Sequence, residues 1–220
     1  MSARSPIGSA VATTRGDDGT TGLLFGGPRI PKDDPRAEAY GTVDEAVAAL
    51  GVARASVGTG GSGGIALATG DLAELLLRLQ RELFVVGAEL ATTPAARDRL
   101  EDGRTRVSAA MVADLEGLLL RLETEITMPA EFVVPGESVA SAAIEVARTI
   151  VRRAERRAVA LRREGHVPGD HLVPFLNRLA DLLWVLARAA EQAEARSATP
   201  ARTASSHRPT TMRSPEEDQA

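Results

Sequence analysis

The sequence predicts an all-α fold, an antiparallel helical bundle, on three observations. Apolar residues recur at three- and four-residue steps in several separate runs, the period of one helix face. Strand signals are almost absent: Phe132-Val133-Val134 is the only short β-like run, and Pro129 and Pro135 bracket it. Short connections join the long periodic segments, as they do between antiparallel neighbours.

The elements follow in order. Residues 1–12 are small and polar and read as a flexible N-terminus. Residues 13–34 hold a glycine-rich loop. A first helix fits 35–56, rich in Ala and Val, with Pro35 suited to its first turn. Residues 58–64, GTGGSGG, read as a flexible linker. From Asp71 to Leu90 the run Leu72, Leu75, Leu76, Leu79, Leu83, Val86, Leu90 marks a second helix. A third covers about 108–127, through Met111, Leu115, Leu118, Leu119, Leu122 and Ile126. Others cover about 137–164 and 170–194, the last through Leu172, Phe175, Leu176, Leu179, Leu182, Leu183 and Leu186. From about 195 onward Ser, Thr, Pro and Arg dominate, and residues 195–220 read as a disordered tail. Residues 13–194 thus form a single helical domain.

Composition excludes several functions. Among 220 residues, 26 are Lys or Arg and 30 are Asp or Glu, for a net charge of −4. This mild acidity argues against a nucleic-acid binder working by bulk charge. There is no cysteine, so disulfides, thiolate metal sites and Cys nucleophiles are excluded. His166, His171 and His207 are too scattered for a His-rich metal site, and no metal ligands are expected. No apolar run reaches a membrane span and no secretory signal opens the chain, so the expected compartment is the cytoplasm. Lys32 is the sole lysine; every other cation is an arginine.

Six features carry chemistry. The loop Thr13-Thr14-Arg15-Gly16-Asp17-Asp18-Gly19-Thr20-Thr21-Gly22 has the glycines, hydroxyls and cation that a phosphate cradle needs. It lacks the Gly-Lys-Ser/Thr ending of a Walker A loop, and a plain polar turn is the alternative. Lys32, a dozen residues on, can reach a phosphate as a point charge or sit as a solvated surface lysine. Arg148, Arg152 and Arg156 are spaced i, i+4, i+8 and share a helix stripe. They either meet an anion or form a solvated face with Glu145 and Glu155 as partners, while Ala147, Ile150, Val151, Ala154, Ala158 and Leu161 form the packing face. Asn177 and Asp181 lie on one side of an apolar helix, facing a ligand or closing a buried network. Asp44, early in the first helix, can pair with the arginine stripe or simply suit a first turn. Phe132, in the non-helical segment, leans over a ligand or plugs a core. No serine has a His partner and an orienting acid, and no carboxylate pair stands in an apolar setting. These features suit an enzyme that positions a polyphosphate while its cofactor brings the nucleophile.

Five blocks carry a resemblance. They are T-T-R-G-D-D-G-T-T-G-L-L-F-G-G-P-R-I-P-K-D-D-P-R-A-E-A-Y-G-T-V-D-E, L-Q-R-E-L-F-V-V-G-A-E-L-A (79–91), F-V-V-P-G (132–136), A-R-T-I-V-R-R-A-E-R-R (147–157) and F-L-N-R-L-A-D-L-L-W-V-L-A-R (175–188). In this order, over roughly residues 13–190, the chain resembles the PduO-type ATP:cob(I)alamin adenosyltransferases. The resemblance implies a five-helix bundle, a homotrimer with active sites at subunit interfaces, and transfer of the 5′-deoxyadenosyl group of ATP to the cobalt of reduced cobalamin, with release of triphosphate. It implies an ATP loop of Thr13, Thr14, Arg15, Gly16, Asp17, Gly19 and Thr21, with Lys32 beside the phosphates. It implies ATP contacts at Arg152, Arg153, Glu155, Arg156 and Asn177, and a catalytic role for Arg152. It further implies an Asp44–Arg148 salt bridge holding the corrinoid site, and a Phe132 that displaces the lower axial ligand to give an easily reduced four-coordinate Co(II). Magnesium would accompany the ATP, and a cobalamin-dependent acceptor enzyme and a flavin reductant are implied as partners. Two positions depart from the family pattern. The usual T-R/K-T-G-D is here Thr13-Thr14-Arg15-Gly16-Asp17, and the usual P-G-G is Pro135-Gly136-Glu137, with an acid beside the corrinoid loop. A trimeric module that binds corrinoid or nucleotide without turnover, and a purely structural bundle, are the competing readings.

Overall fold

The structure is a computed structural model that describes residues 8–9, 11–57, 65–67 and 70–202. The expected linker 58–64, residues 1–7 and the tail from 203 lie outside the described residues. The fold is mostly helical. Its α-helices are α1 (Pro35–Val57), α2 (Leu72–Leu90), α3 (Ala109–Glu125), α4 (Val139–Arg163) and α5 (Leu172–Ala193), with a short 3₁₀ helix at Pro94–Arg99 before α3. Among the described residues there are also three two-residue antiparallel ladders: β1 (Thr20–Thr21) with β2 (Ile30–Pro31), β3 (Ala66–Leu67) with β4 (Gly70–Asp71), and β5 (Val133–Val134) with β6 (Thr199–Pro200). None of the described helices is long and apolar enough to cross a membrane.

Helix starts are written locally. Asp71 caps α2 by accepting from the Glu74 N–H, and Ser108 caps α3 through the Met111 N–H. Ser138 and Ser141 form a reciprocal capping box on α4. That cap starts α4 two residues later than the periodicity suggested and leaves Glu137 outside the helix.

The apolar runs predicted for α2 and α5 are buried without exception. Burying each leucine contributes about 2 kcal/mol. α4 hides the face expected of it: Ala147, Ile150, Val151, Ala154, Ala158 and Leu161. α1 likewise buries Ala39, Ala46, Ala49 and Ala53. Small side chains on both helices allow a close α1–α4 approach, and α4 packs in turn on α5, with α2 on α1 and α3 on α5.

The stretch after α5 departs from expectation. Its first residues do not stand apart from the domain: β6 pairs Pro200 with Val133 and Thr199 with Val134. Composition misleads here because a backbone ladder needs no apolar side chains, only free N–H and C=O groups.

Candidate functional site

The glycine loop is closed by its own hydrogen bonds. The Asp17 N–H donates to the Thr14 carbonyl and the Gly19 N–H to the Gly16 carbonyl. Thr14 (φ 58°) and Gly19 (φ 78°) turn the backbone through the left-handed region. Asp18 accepts from the Thr20 N–H at 2.9 Å and its hydroxyl at 2.8 Å, bonds that hold its carboxyl below the usual range. Thr13, Arg15 and Asp17 are exposed; Gly16 and Thr21 are half-buried. Arg29, returning on the second arm, donates through Nε to Thr20 Oγ1 (2.7 Å) and through Nη2 to the Arg15 and Thr20 carbonyls (2.8 Å each). The Lys32 N–H bonds the Gly19 carbonyl at 2.9 Å. Its ammonium lies over Gly16, 3.0 Å from where a Cβ would stand. The β1–β2 ladder therefore brings Lys32 onto the loop that sequence spacing left a dozen residues away.

The arginines at 148–157 of α4 divide into two kinds. Arg153 pairs with Glu45, and Arg157 pairs with Glu38 while donating to Thr42 Oγ1 at 2.7 Å. Arg148 is half-buried and donates Nε to Glu145 at 2.6 Å. Arg152 and Arg156, one turn apart and exposed, have no hydrogen bond or ion pair among the described residues. Glu155 accepts from Asn177 Nδ2 at 3.3 Å. Asn177 Oδ1 accepts from Arg178, whose Nε reaches Glu116, so one polar chain links α4, α5 and α3. Asp181, expected beside Asn177, is exposed on a groove with Leu120, Met128 and Trp184.

The Asp44–Arg148 salt bridge does not form within the chain. Glu38 meets Arg157 and Glu45 meets Arg153, so α1 and α4 run antiparallel with Asp44 level with residues 153–154. Arg148 lies five residues further along α4, about 7.5 Å of helix axis away. Its guanidinium is engaged by Glu145, which reaches back to Arg188 on α5. Asp44 instead lines an apolar groove of about 410 Å³ between α1 and α2, with Tyr40, Val47, Leu83, Phe84 and Leu24. Phe132 plugs no core: it is 89% exposed.

Sequence reasoning missed a buried ionic cluster. Arg188 is 1% exposed and donates to Glu191 (2.8 Å), with Glu145 at 3.4 Å. Glu145 and Glu191 are also buried, and Arg148 supplies the second cation that makes the group neutral. The signal was an arginine and an acid three residues apart inside a Leu/Ala helix. Glu89 was missed too. It is fully buried, accepts from the Val107 N–H at 2.7 Å, and burial pushes its carboxyl above the usual range. Among the described residues no cluster of three or more His, Cys, Asp or Glu side chains is placed to hold a metal ion.

Known proteins are similar to this chain in sequence and in fold. Residues 11–190 match the family model described as cobalamin adenosyltransferase. The chain is 41% identical over 181 residues to a corrinoid adenosyltransferase of Citrobacter freundii, covering 82% of this chain and 94% of that one. It is 38% identical over 184 residues to one from Mycobacterium tuberculosis, covering 82% and 88%. Among solved structures it is similar to a variant PduO-type ATP:corrinoid adenosyltransferase from Lactobacillus reuteri complexed with cobalamin and ATP. That similarity has a TM-score of 0.73 and 30% identity, and covers 87% of this chain and 98% of that one. A second variant of that enzyme, complexed with ATP, gives a TM-score of 0.71 at 28% identity, over 87% and 100% of the two chains.

Proposed function

The chain belongs to the cobalamin adenosyltransferase family, and on that premise we propose how its residues carry out the reaction. It is an ATP:corrinoid adenosyltransferase: it transfers the 5′-deoxyadenosyl group of ATP to the cobalt of reduced cob(I)alamin, giving adenosylcobalamin and triphosphate. The reduced corrinoid supplies the nucleophile, so the protein's task is to bind, orient and stabilise charge.

The observation that carries the residue assignment is the division among the arginines at 148–157 of α4. Arg153, Arg157 and Arg148 are engaged by carboxylates, while Arg152 and Arg156 are left exposed one turn apart. Two cations on one stripe repel unless an anion lies opposite, and a triphosphate is such an anion. Lys32 and the backbone of Thr13, Thr14, Arg15, Gly16, Asp17, Gly19 and Thr21 cradle the remaining phosphates. Arg152 stabilises charge as it builds on the leaving triphosphate. Glu155 and Asn177, already bonded to each other, orient the nucleotide beside this stripe. Magnesium would ride on the phosphates rather than in a protein cage.

The active form is a homotrimer in this reading. Asp44 and Arg148 are out of register within one chain, so their salt bridge needs Asp44 of one copy and Arg148 of another. Phe84, Val52, Val139 and Val146 are large apolar side chains left exposed on helices, which supports a covered face. The exposed Phe132 then stands over the corrinoid bound at that junction.

The test is to mix the protein with ATP, Mg²⁺ and chemically reduced cobalamin, and to follow adenosylcobalamin and triphosphate together. Absence of both products refutes the activity. Light scattering that reports a monomer under turnover conditions refutes the shared site.

A further inference from the structure

A departure from the family pattern is bonded to a segment beyond the residues the family model matches. Glu137 replaces the glycine of the usual P-G-G, and residues 199–201 lie past residue 190, where the family match stops. In the structure Thr199 Oγ1 donates to Glu137 Oε1. Thr199 and Pro200 form the ladder with Val134 and Val133, and the Ala201 N–H donates to the Phe132 carbonyl at 2.7 Å. The loop before α4 is thus held from one side by the segment C-terminal to α5. Its start is held as well: Gln192 of α5 accepts from the Thr127 N–H at 2.9 Å and donates to the Thr127 carbonyl at 2.8 Å. Its end is fixed by the Ser138 capping box. Between these points Gly136 takes φ 137° and the Phe132 side chain stands free, packed against no core. A loop residue with an exposed side chain has a defined position only if its backbone is tied down.

We propose that Thr199, the Ala201 N–H and Glu137 are positioning groups for Phe132: a backbone clasp from residues 199–201 sets where the phenylalanine stands over the corrinoid. The clasp does no chemistry. It lowers the entropy lost when Phe132 is placed against the bound corrinoid, which makes corrinoid affinity and coordination state depend on residues outside the matched domain. The proposal rests on the assignment of Phe132 made above. None of the clasp's bonds involves the glycine loop, Lys32, Arg152 or Arg156, so ATP binding is independent of it.

The test uses the full chain with two variants. Ala201→Pro deletes one N–H donor in an exposed segment, and Thr199→Val deletes the hydroxyl at nearly constant volume. In the ligand-free protein, amide exchange at Val134, the residue whose N–H faces Thr199 across the ladder, quickens in both. With ATP and cob(II)alamin, the optical signature of four-coordinate Co(II) weakens. The corrinoid KM rises about three- to tenfold, the range for one lost hydrogen bond, while the ATP KM stays within about twofold. A corrinoid KM and spectrum unchanged from the parent protein overturn the clasp, as does a parallel rise in both KM values, which marks general loosening. Phe132→Ala separates the two ideas. If it abolishes the four-coordinate signature while the clasp variants are silent, the assignment of Phe132 stands and the clasp falls. If it leaves the signature intact, that assignment fails, and the clasp proposal falls with it whatever the tail variants do.

Discussion

Replacing Arg188 with methionine is expected to remove about 3–5 kcal/mol of stability, the cost of stranding a buried ion. The structure sets that scale. Arg188 is 1% exposed, and among the described residues its guanidinium is the only cation paired with Glu191. It also stands 3.4 Å from Glu145 and 5.6 Å from the ring centre of Trp184. Without it two buried carboxylates face a single cation, Arg148, which touches only Glu145. For a domain of this size the loss lowers the midpoint of thermal unfolding by about 6–20 °C. The assay is denaturant and thermal unfolding of single and double variants. Arg188→Met with Glu191→Leu removes one charge of each sign and leaves the Arg148–Glu145 pair intact. Much of the lost stability should return, because replacing a buried pair by apolar side chains is close to neutral. A single variant that loses less than about 1 kcal/mol, or a double no more stable than the single, refutes the reasoning.

Other perturbations separate function from folding. Arg152→Ala should abolish turnover while stability stays within about 0.5 kcal/mol, since the side chain is exposed and bonded to nothing among the described residues; single-turnover kinetics beside a melting curve decides it. Lys32→Arg keeps the charge but should raise the ATP KM, because a planar fork does not fit over Gly16 as a compact ammonium does; a variant with the parent KM would make the lone lysine a coincidence. Glu89→Gln should flatten the dependence of stability on pH. Burial raises the folded-state pKa of Glu89, so its favourable contribution is complete below the ordinary glutamate range. That contribution is lost as pH climbs through the raised value. Glutamine keeps an acceptor for the Val107 N–H without the ionisation, and a melting series from acid to neutral pH reads the difference.

The parts of the molecule that were legible in the sequence are those written in local code. Periodicity located the helices because each buries one face, and the leucines of α2 and α5 are buried without exception. Caps explain the small errors at the ends: Ser138 displaces the start of α4, and Glu137 is free to bond elsewhere. What stayed illegible depends on which helix meets which. Arg188 and Arg152 are both arginines on helices, yet one is buried between two glutamates and the other is exposed. Only the packing of α4 on α5 distinguishes them. Arg29 escaped notice for a similar reason, since its three bonds cross a hairpin that composition alone does not close.

The Asp44–Arg148 pair shows a different boundary. A family motif records contacts that persist across relatives, whether made within a chain or between chains. The antiparallel register of α1 and α4 is marked by Glu38–Arg157 and Glu45–Arg153, and both pairs would have to break for Asp44 to slide toward Arg148. Sliding by five residues would also turn the helix by about 500° and carry the buried alanines of α4 off the core. Packing therefore forbids the intrachain bridge far more strongly than one exposed ion pair, worth about 0–1 kcal/mol, could demand it. If the motif's bridge is real in this protein, its two halves belong to different copies. Charge reversal at both positions (Asp44→Arg with Arg148→Asp) is a poor probe, because Arg148 also balances the buried cluster. The cleaner experiment mixes an Asp44→Ala chain with an Arg152→Ala chain. If each active site draws Asp44 from one copy and Arg152 from another, the mixture recovers sites that keep both groups and some turnover returns. If each site is built within one copy, every site carries a lesion and the mixture stays as inactive as its parents.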